Sequence, residues 1–305
     1  MISGRPCFVE DERCRFRPDP EGRLRVVVRL TMRCDLACPH CLARESCIPE
    51  LDTRQWLTLM RQFVDINVHK VLLTGGEPLM RSDLVSFVDT LVAGGAKVDL
   101  NSNLQQMTPE LLRALGEAGL NEISVSIEGP EEVHDRMHGR LGAYARLNRA
   151  IHWAREMGIG VDASCCLTEM NRECIPALIE DIKRIPVRSI TFARLLPIGH
   201  GRDSRKAISQ DILDEIYAYV KSRISADLTK PVRATGLLGA PRPEDCCRGE
   251  SLIGLSADGS LKACVLSDDN PAIHHPLDIG LPDALMQLRK ELKTGRYKYC
   301  WQEGT

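Results

Sequence analysis

The 305-residue chain has no run of about 18 apolar residues, the length a membrane-spanning helix needs. Its most apolar strand-like stretch, Leu24 to Leu30, is broken by Arg25 and Arg29. A membrane partner is therefore not expected. Aromatic residues make up only 4%, and 40 basic against 42 acidic residues leave a net charge of −2. Neither a basic groove nor a stacking platform is advertised, so nucleic acid is not expected either. The segment Met1 to Glu12 lacks the charged start and apolar core of a secretory signal, which gives a cytoplasmic expectation.

What the chain does have is cysteine, 13 of them. In a reducing compartment that number argues for metal or redox chemistry rather than a disulfide scaffold. Four stand in the stretch RCDLACPHCLARESC, and the first three, Cys34, Cys38 and Cys41, form C-x3-C-x2-C. Structural zinc prefers paired C-x2-C knuckles and four ligands. Three thiolates in one short loop suit a [4Fe–4S] cluster with one iron left open to a ligand, whereas a fully ligated cluster only passes electrons.

Around this loop the pattern alternates. Leu24 to Leu30 reads as a strand, Thr53 to Asn67 as a helix with Thr53 as cap, and His69 to Pro78 as a second strand with its loop. A helix from Ser82 to a stop at Gly94–Gly95, a strand in AKVDLNSN, and a helix opening at Thr108–Pro109 follow. NEISVSIEG, a helix around Tyr144 to Met157, GVDASCCLT, a helix from about Arg172 and SITFARLLP complete six β/α units across residues 24–205. Such alternation predicts an α/β fold with a parallel sheet, and places function on the loops after the strand C-termini. The cysteine loop, GGEP, NSN and IEGP all lie there. From about Ser209 the pattern changes to a helix, a Pro- and Gly-rich segment, a hairpin turning at Asp258–Gly259 and a last helix before Cys300. The expected organisation is an extension over 1–23, a barrel over 24–205 and a small α+β module over 206–305.

The cysteine spacing after the first strand, with TGGEP after the second, resembles the radical S-adenosylmethionine (SAM) enzymes. The resemblance spans roughly residues 24 to 264 and implies a partial (β/α)6 TIM-like barrel. It further implies a [4Fe–4S] cluster on Cys34, Cys38 and Cys41 that binds SAM, and reductive cleavage of SAM to a 5′-deoxyadenosyl radical. An external one-electron reductant such as flavodoxin or ferredoxin would supply the electron. By the same resemblance Gly75, Gly76 and Glu77 receive the SAM ammonium group, and Asn103, Ser126, Glu128, Ser164, Arg194 and Leu196 flank the cofactor. Ser126 and Glu128 alternate along their strand and so share the barrel interior. Cys165 and Cys166, adjacent on a strand, point to opposite faces. His134 and His138 stand four apart but lack the carboxylate that would complete a zinc motif, so HDRMHG is read as an ordered loop; His274–His275 is read as a loop as well.

CCRGESLIGLSADGSLKAC is similar to the start of the twitch or SPASM extension of the same enzymes, which implies a second, auxiliary [4Fe–4S] cluster. Cys246 and Cys264 match its ligand positions and Cys300 is the third. The fourth is left open among Cys7, Cys14, Cys247, substrate and non-cysteine groups. Cys247, beside a ligand, is either a hydrogen-atom donor or a ligand or packed thiol itself. Three chemistries compete: epimerisation through the Cys247 thiol, dehydrogenation through the auxiliary cluster, and maturation of a peptide. Only 33 residues precede Cys34, too few for the peptide-recognition domain of many maturases. The expectation is therefore a small-molecule substrate, a sugar or aminoglycoside, epimerised as in the enzymes of aminoglycoside biosynthesis that act on neomycin; an aminocyclitol dehydrogenase is the runner-up. Glu128, Asp135 and Glu250 are candidate acceptors for its ammonium groups.

Overall fold

The computed structural model describes residues 8–11, 21–42, 48–196, 198–224, 232–235, 249–264 and 273–294. Within these, the expected alternation is present. Strands β2 (Arg25–Arg29), β3 (Lys70–Thr74), β4 (Lys97–Asn101), β5 (Glu122–Ser126), β6 (Gly160–Leu167) and β7 (Ser189–Arg194) are parallel and neighbour one another in chain order. Between them run helices α1 (Thr53–Asp65), α2 (Leu84–Ala93), α3 (Pro109–Glu117), α4 (Glu131–His138), α5 (Ala143–Glu156) and α6 (Ile175–Arg184).

The sheet continues past both ends of this unit. On one side β8 (Val232–Thr235) pairs with β7, and β1 (Phe8–Asp11) pairs with β8; on the other, β9 (Leu252–Leu255) pairs in parallel with β2 and turns antiparallel into β10 (Leu261–Lys262). One ten-stranded sheet results, with β1 and β10 at its edges. Segments expected to flank the barrel at both ends of the chain thus hydrogen-bond into it. The remaining helices are α7 (Gln210–Ile224), α8 (Pro276–Ile279) and α9 (Leu281–Leu292).

Local chemistry explains most boundaries. Asp52, not Thr53, caps α1, and forms a full capping box with Gln55. Thr108 caps α3 with Pro109 in its first turn. Residues 131–138, read from sequence as a loop, are helix α4: Glu131 and Glu132 complement its N-terminus, and Gly139 stops it at φ 65°. His275 lies in the predicted loop and caps α8, its Nδ1 accepting from Leu277 N.

Alternate strand residues such as Val71, Leu73, Val98, Leu100, Ile123 and Phe192 meet Trp56, Phe63, Phe87 and Leu112 of the helices in one core. The other strand face lines the barrel. At its N-terminal end Lys70 pairs with Asp99 and Glu122, while Arg188 binds Glu122 (2.7 Å) and Asp162 (2.9 Å). This network closes the bottom of the barrel, the end associated with stability, and leaves the strand C-termini open.

Candidate active site at the mouth of the barrel

The cysteine loop leaves β2 and crosses the strand C-termini, where loops from four other strands hold it. After β3, Gly76 N donates to Thr31 O (2.6 Å) and Glu77 N to Arg33 O (2.7 Å). A Cβ on Gly75 would lie 2.4 Å from Thr31 O, and one on Gly76 2.2 Å from Arg33 O. The glycines are therefore required by the approach of one backbone to another. After β4, Asn103 Nδ2 donates to Asp35 (2.9 Å). After β5, Ala37 N donates to His138 O (3.1 Å), and Arg140 pairs with Asp35 (3.1 Å). After β7, His200 N donates to Cys41 O and Lys206 Nζ to Pro39 O (2.8 Å). Glu50 fastens the start of the loop by accepting from Thr31 Oγ1 and Met32 N.

Cys34, Cys38 and Cys41 are cysteines in no disulfide, Cys34 exposed and the other two half-buried. Burial first, then the charges of Cys41 and Cys34, push the Cys38 thiol up to about 12. Burial also raises Cys34, with Glu77, Asp35 and Cys41 adding to it. Three sulfurs within electrostatic reach need a positive centre to become thiolates together. An iron–sulfur cluster fits that donor set.

Glu77 is 1% exposed. Its Oε1 accepts from Leu79 N (2.9 Å) and Ser102 Oγ (2.7 Å), its Oε2 from Asn103 N (2.7 Å). Burial pushes this carboxyl up to about 7 against those bonds. A carboxylate offers about four lone-pair positions, so one remains for a cationic ligand.

Glu128, also 1% exposed, accepts from Cys166 N (2.7 Å) and faces His40 Nε2 of the cysteine loop (3.5 Å). Burial works to raise its carboxyl, but the His40 and Cys166 bonds outweigh it and hold it below the ordinary value. Ser126 and Ser164 are register partners, and Thr191 is the next in the row, so three hydroxyl residues share the interior face. Cys165 is buried in the core and Cys166 half-buried on the interior side, as the alternation predicts. Arg194 pairs in register with buried Leu167 and shares the face of Phe192, opposite the hydroxyl row. Leu196 is half-buried beyond the end of β7.

Asp135 is turned away from any substrate role: it accepts from Gly142 N (2.5 Å) and Tyr144 N (2.8 Å) at the start of α5. Cys264 is 5% exposed at the end of the β9–β10 hairpin, where Ala263 O accepts from Gly249 N. Arg289 of α9 holds the same turn through Gly249 O and Glu250 O (both 3.0 Å). Cys246, Cys247 and Cys300, with Cys7 and Cys14, lie outside the described residues.

Sequence reasoning missed Asp35, His40, Glu50, His138, Arg140 and Lys206. For His138 the signal in the sequence is the HDRMHG stretch, with two histidines four apart and no zinc motif to account for them. His138 Nδ1 lies 3.2 Å from Cys38 Sγ.

The chain is 30% identical over 206 residues to the Fe-coproporphyrin III synthase of Methanosarcina barkeri, covering 67% of this chain and 50% of the relative. It is 26% identical over 268 residues to the PqqA peptide cyclase of Rhodopseudomonas palustris, covering 83% and 70%. It therefore spans half of the first relative's length. Its fold matches Streptococcus suis SuiB, solved with S-adenosylmethionine (TM-score 0.73) and with the precursor peptide SuiA (0.72). Identity there is 18%, covering 86% of this chain and 65% or 64% of the other. No helix among the described residues is long and apolar enough to cross a membrane. Residues 28–182, just over half of the chain, match the Radical SAM superfamily, and the chain belongs to that superfamily, whose members bind a [4Fe–4S] cluster and S-adenosylmethionine.

Proposed function

We propose that the chain uses radical SAM chemistry to modify a peptide. The observation that carries the radical part is the cysteine loop itself, three cysteines in no disulfide, fastened by loops from four further strands over the open end of the barrel. The peptide part rests on the relatives: a PqqA peptide cyclase aligns over 83% of the chain, and the fold matches a protein solved with its precursor peptide. This replaces the sugar or aminoglycoside expected from sequence, for which none of these relatives speaks. The short N-terminal stretch that argued against a peptide carries less weight than an alignment across most of the chain. Among the described residues the sheet ends at the edge strands β1 and β10, and an open sheet edge is a place where an extended peptide can add as a further strand.

Cys34, Cys38 and Cys41 would hold the cluster, which supplies reductive cleavage of SAM to a carbon-centred radical. Glu77 keeps one lone pair for the SAM ammonium group and uses the others to set the loops after β3 and β4. Asn103 spans Glu77 and Asp35, fixing the cofactor wall relative to the thiols. Ser126 and Ser164 offer hydroxyls along the interior. Glu128 acts through His40 and the Cys166 amide rather than as a free carboxylate. Arg194 and Leu196 belong to the rim. Cys246, Cys264 and Cys300 remain the proposed auxiliary ligands and Cys247 the proposed hydrogen-atom donor. A cytoplasmic setting with flavodoxin or ferredoxin as electron source goes with this reading.

The test is 5′-deoxyadenosine formation by the reconstituted enzyme with SAM and reductant, challenged in turn with extended peptides, a neomycin-type aminoglycoside and iron coproporphyrin. Peptides should accelerate it saturably and gain a mass change. Acceleration by the aminoglycoside alone, with solvent deuterium at an inverted carbon, would restore the epimerase. Alanine at all three loop cysteines should abolish SAM cleavage. Cys247→Ala should keep iron and SAM cleavage if Cys247 is a donor, and lose auxiliary iron if it is a ligand.

A further inference from the structure

We propose that His138 is a positioning residue for the radical SAM cluster, its Nδ1–H donating a hydrogen bond to the Cys38 thiolate and raising the cluster's reduction potential. The inference rests on Cys34, Cys38 and Cys41 being the cluster ligands.

The geometry is specific. His138 ends α4, and its ring reaches the cysteine loop with Nδ1 3.2 Å from Cys38 Sγ. The ring is buried at 5% exposure, and its Nε2 has no hydrogen-bond partner among the described residues. A neutral imidazole has one N–H and one lone pair. An N–H left unpaired in a dry interior is costlier than an unpaired lone pair, and the sulfur beside Nδ1 is an acceptor. The hydrogen therefore sits on Nδ1, pointing at the sulfur. His134, whose ring lies 4.1 Å away centroid to centroid, holds that orientation from the other side, and its own Nδ1 accepts from Glu128 N.

The physical effect follows from charge. Reduction adds an electron to a cluster already carried by thiolates, and a donor on a ligand sulfur stabilises the added negative charge. Removing the donor makes reduction harder. The main chain of the same residue also grips the loop, since His138 O accepts from Ala37 N, and that bond does not depend on the side chain. Side-chain variants should therefore keep the loop in place.

The test compares His138→Leu, which has no donor, with His138→Asn, whose side-chain N–H stands about as far from the backbone as Nδ1–H. The midpoint potential of the reconstituted cluster should move negative in His138→Leu and return toward the wild-type value in His138→Asn, with iron per chain unchanged. An unchanged potential in a fully loaded His138→Leu protein overturns the inference. Should His138→Leu fold or load poorly, pulsed electron paramagnetic resonance of the reduced wild-type protein labelled with 15N-histidine decides it: a 15N coupling lost in His138→Asn supports the bond, and no coupling overturns it. A wild-type chain that takes up no iron on reconstitution, or Cys38→Ala retaining full SAM cleavage, would instead overturn the cluster assignment beneath it.

Discussion

The amide of Glu77 donates to the carbonyl of Arg33 at 2.7 Å, joining the residue after the double glycine to the residue before the first cysteine, main chain to main chain. The GGEP turn and the cysteine loop are thus one structure, and a change in either moves both.

Gly76→Ala tests this directly. The new Cβ would fall 2.2 Å from Arg33 O, a backbone atom that moves only with the loop. The expected result is a native-like circular dichroism spectrum, a stability loss of about 1–3 kcal/mol, and a large drop in bound iron after reconstitution. Full iron loading would show that the loop tolerates displacement.

Glu50 is the second fastening. It accepts from Thr31 Oγ1 and Met32 N, and bonds to a charged acceptor are worth about 1.5–3 kcal/mol each when made in a protein interior, less for a carboxylate with partial solvent access. Glu50→Ala should lower the urea midpoint of the iron-free chain by an amount equivalent to about 1–3 kcal/mol. Glu50→Gln should recover part of it.

Arg81 and Asp83 form a bidentate pair (2.9 and 2.6 Å), and Arg81 Nη1 also donates to Leu30 O and Leu51 O. Burial works to raise Asp83, but the Arg81 and Thr53 bonds outweigh it and hold the carboxyl below its ordinary value. A carboxylate with a lowered folded pKa adds stability above its unfolded pKa and loses it as pH falls through the folded one. Arg81→Ala should cost about 1–3 kcal/mol at pH 7 by urea denaturation, since Asp83 keeps its bond from Thr53 and partial access to water. Asp83→Asn should cost less, and a double-mutant cycle should show strong coupling.

The buried histidines predict the acid limb. Burial, with nearby ring charges, pushes His134 and His138 down to about 3, whereas an unfolded histidine titrates near 6.5. Between these values the unfolded chain binds more protons, so stability falls as pH is lowered below about 6.5, by about 1.4 kcal/mol per histidine per pH unit. Above it these residues contribute no slope. Urea titrations of the iron-free chain between pH 7.5 and 5.5 should show the decline, and His134→Leu should flatten it.

The six β/α units were legible because their signals are local: Thr108–Pro109 is a helix start whatever surrounds it, and Val71, Leu73, Val98 and Leu100 alternate for the same packing reason. The cysteine spacing was legible because three thiols in one loop have few uses. Illegible were relations between loops distant in sequence. Nothing in HDRMHG announces that His138 will meet Cys38, or that Arg140 will pair with Asp35, because the strand order that brings those loops together is itself long-range. For the same reason β9 read as part of a separate module: a hairpin turning at Asp258–Gly259 is visible in sequence, whereas its partner β2 is not. GGEP was legible as a motif, but its glycines answer to a neighbouring backbone rather than to a ligand alone.

The pairing of Arg25–Val28 with Leu252–Leu255 sets a timetable. During synthesis β2 gains β3 early, but its other edge stays bare until the hairpin has emerged, roughly ten seconds or more later at about 5–20 residues per second. A strand waiting with unpaired amides and a valine-rich face is an aggregation hazard. The nascent chain therefore passes through a stage in which its cysteine loop exists but the strand beneath it is only half supported. Iron delivered during that stage meets an unfinished site, so productive loading belongs after the β9–β10 hairpin has docked beside β2.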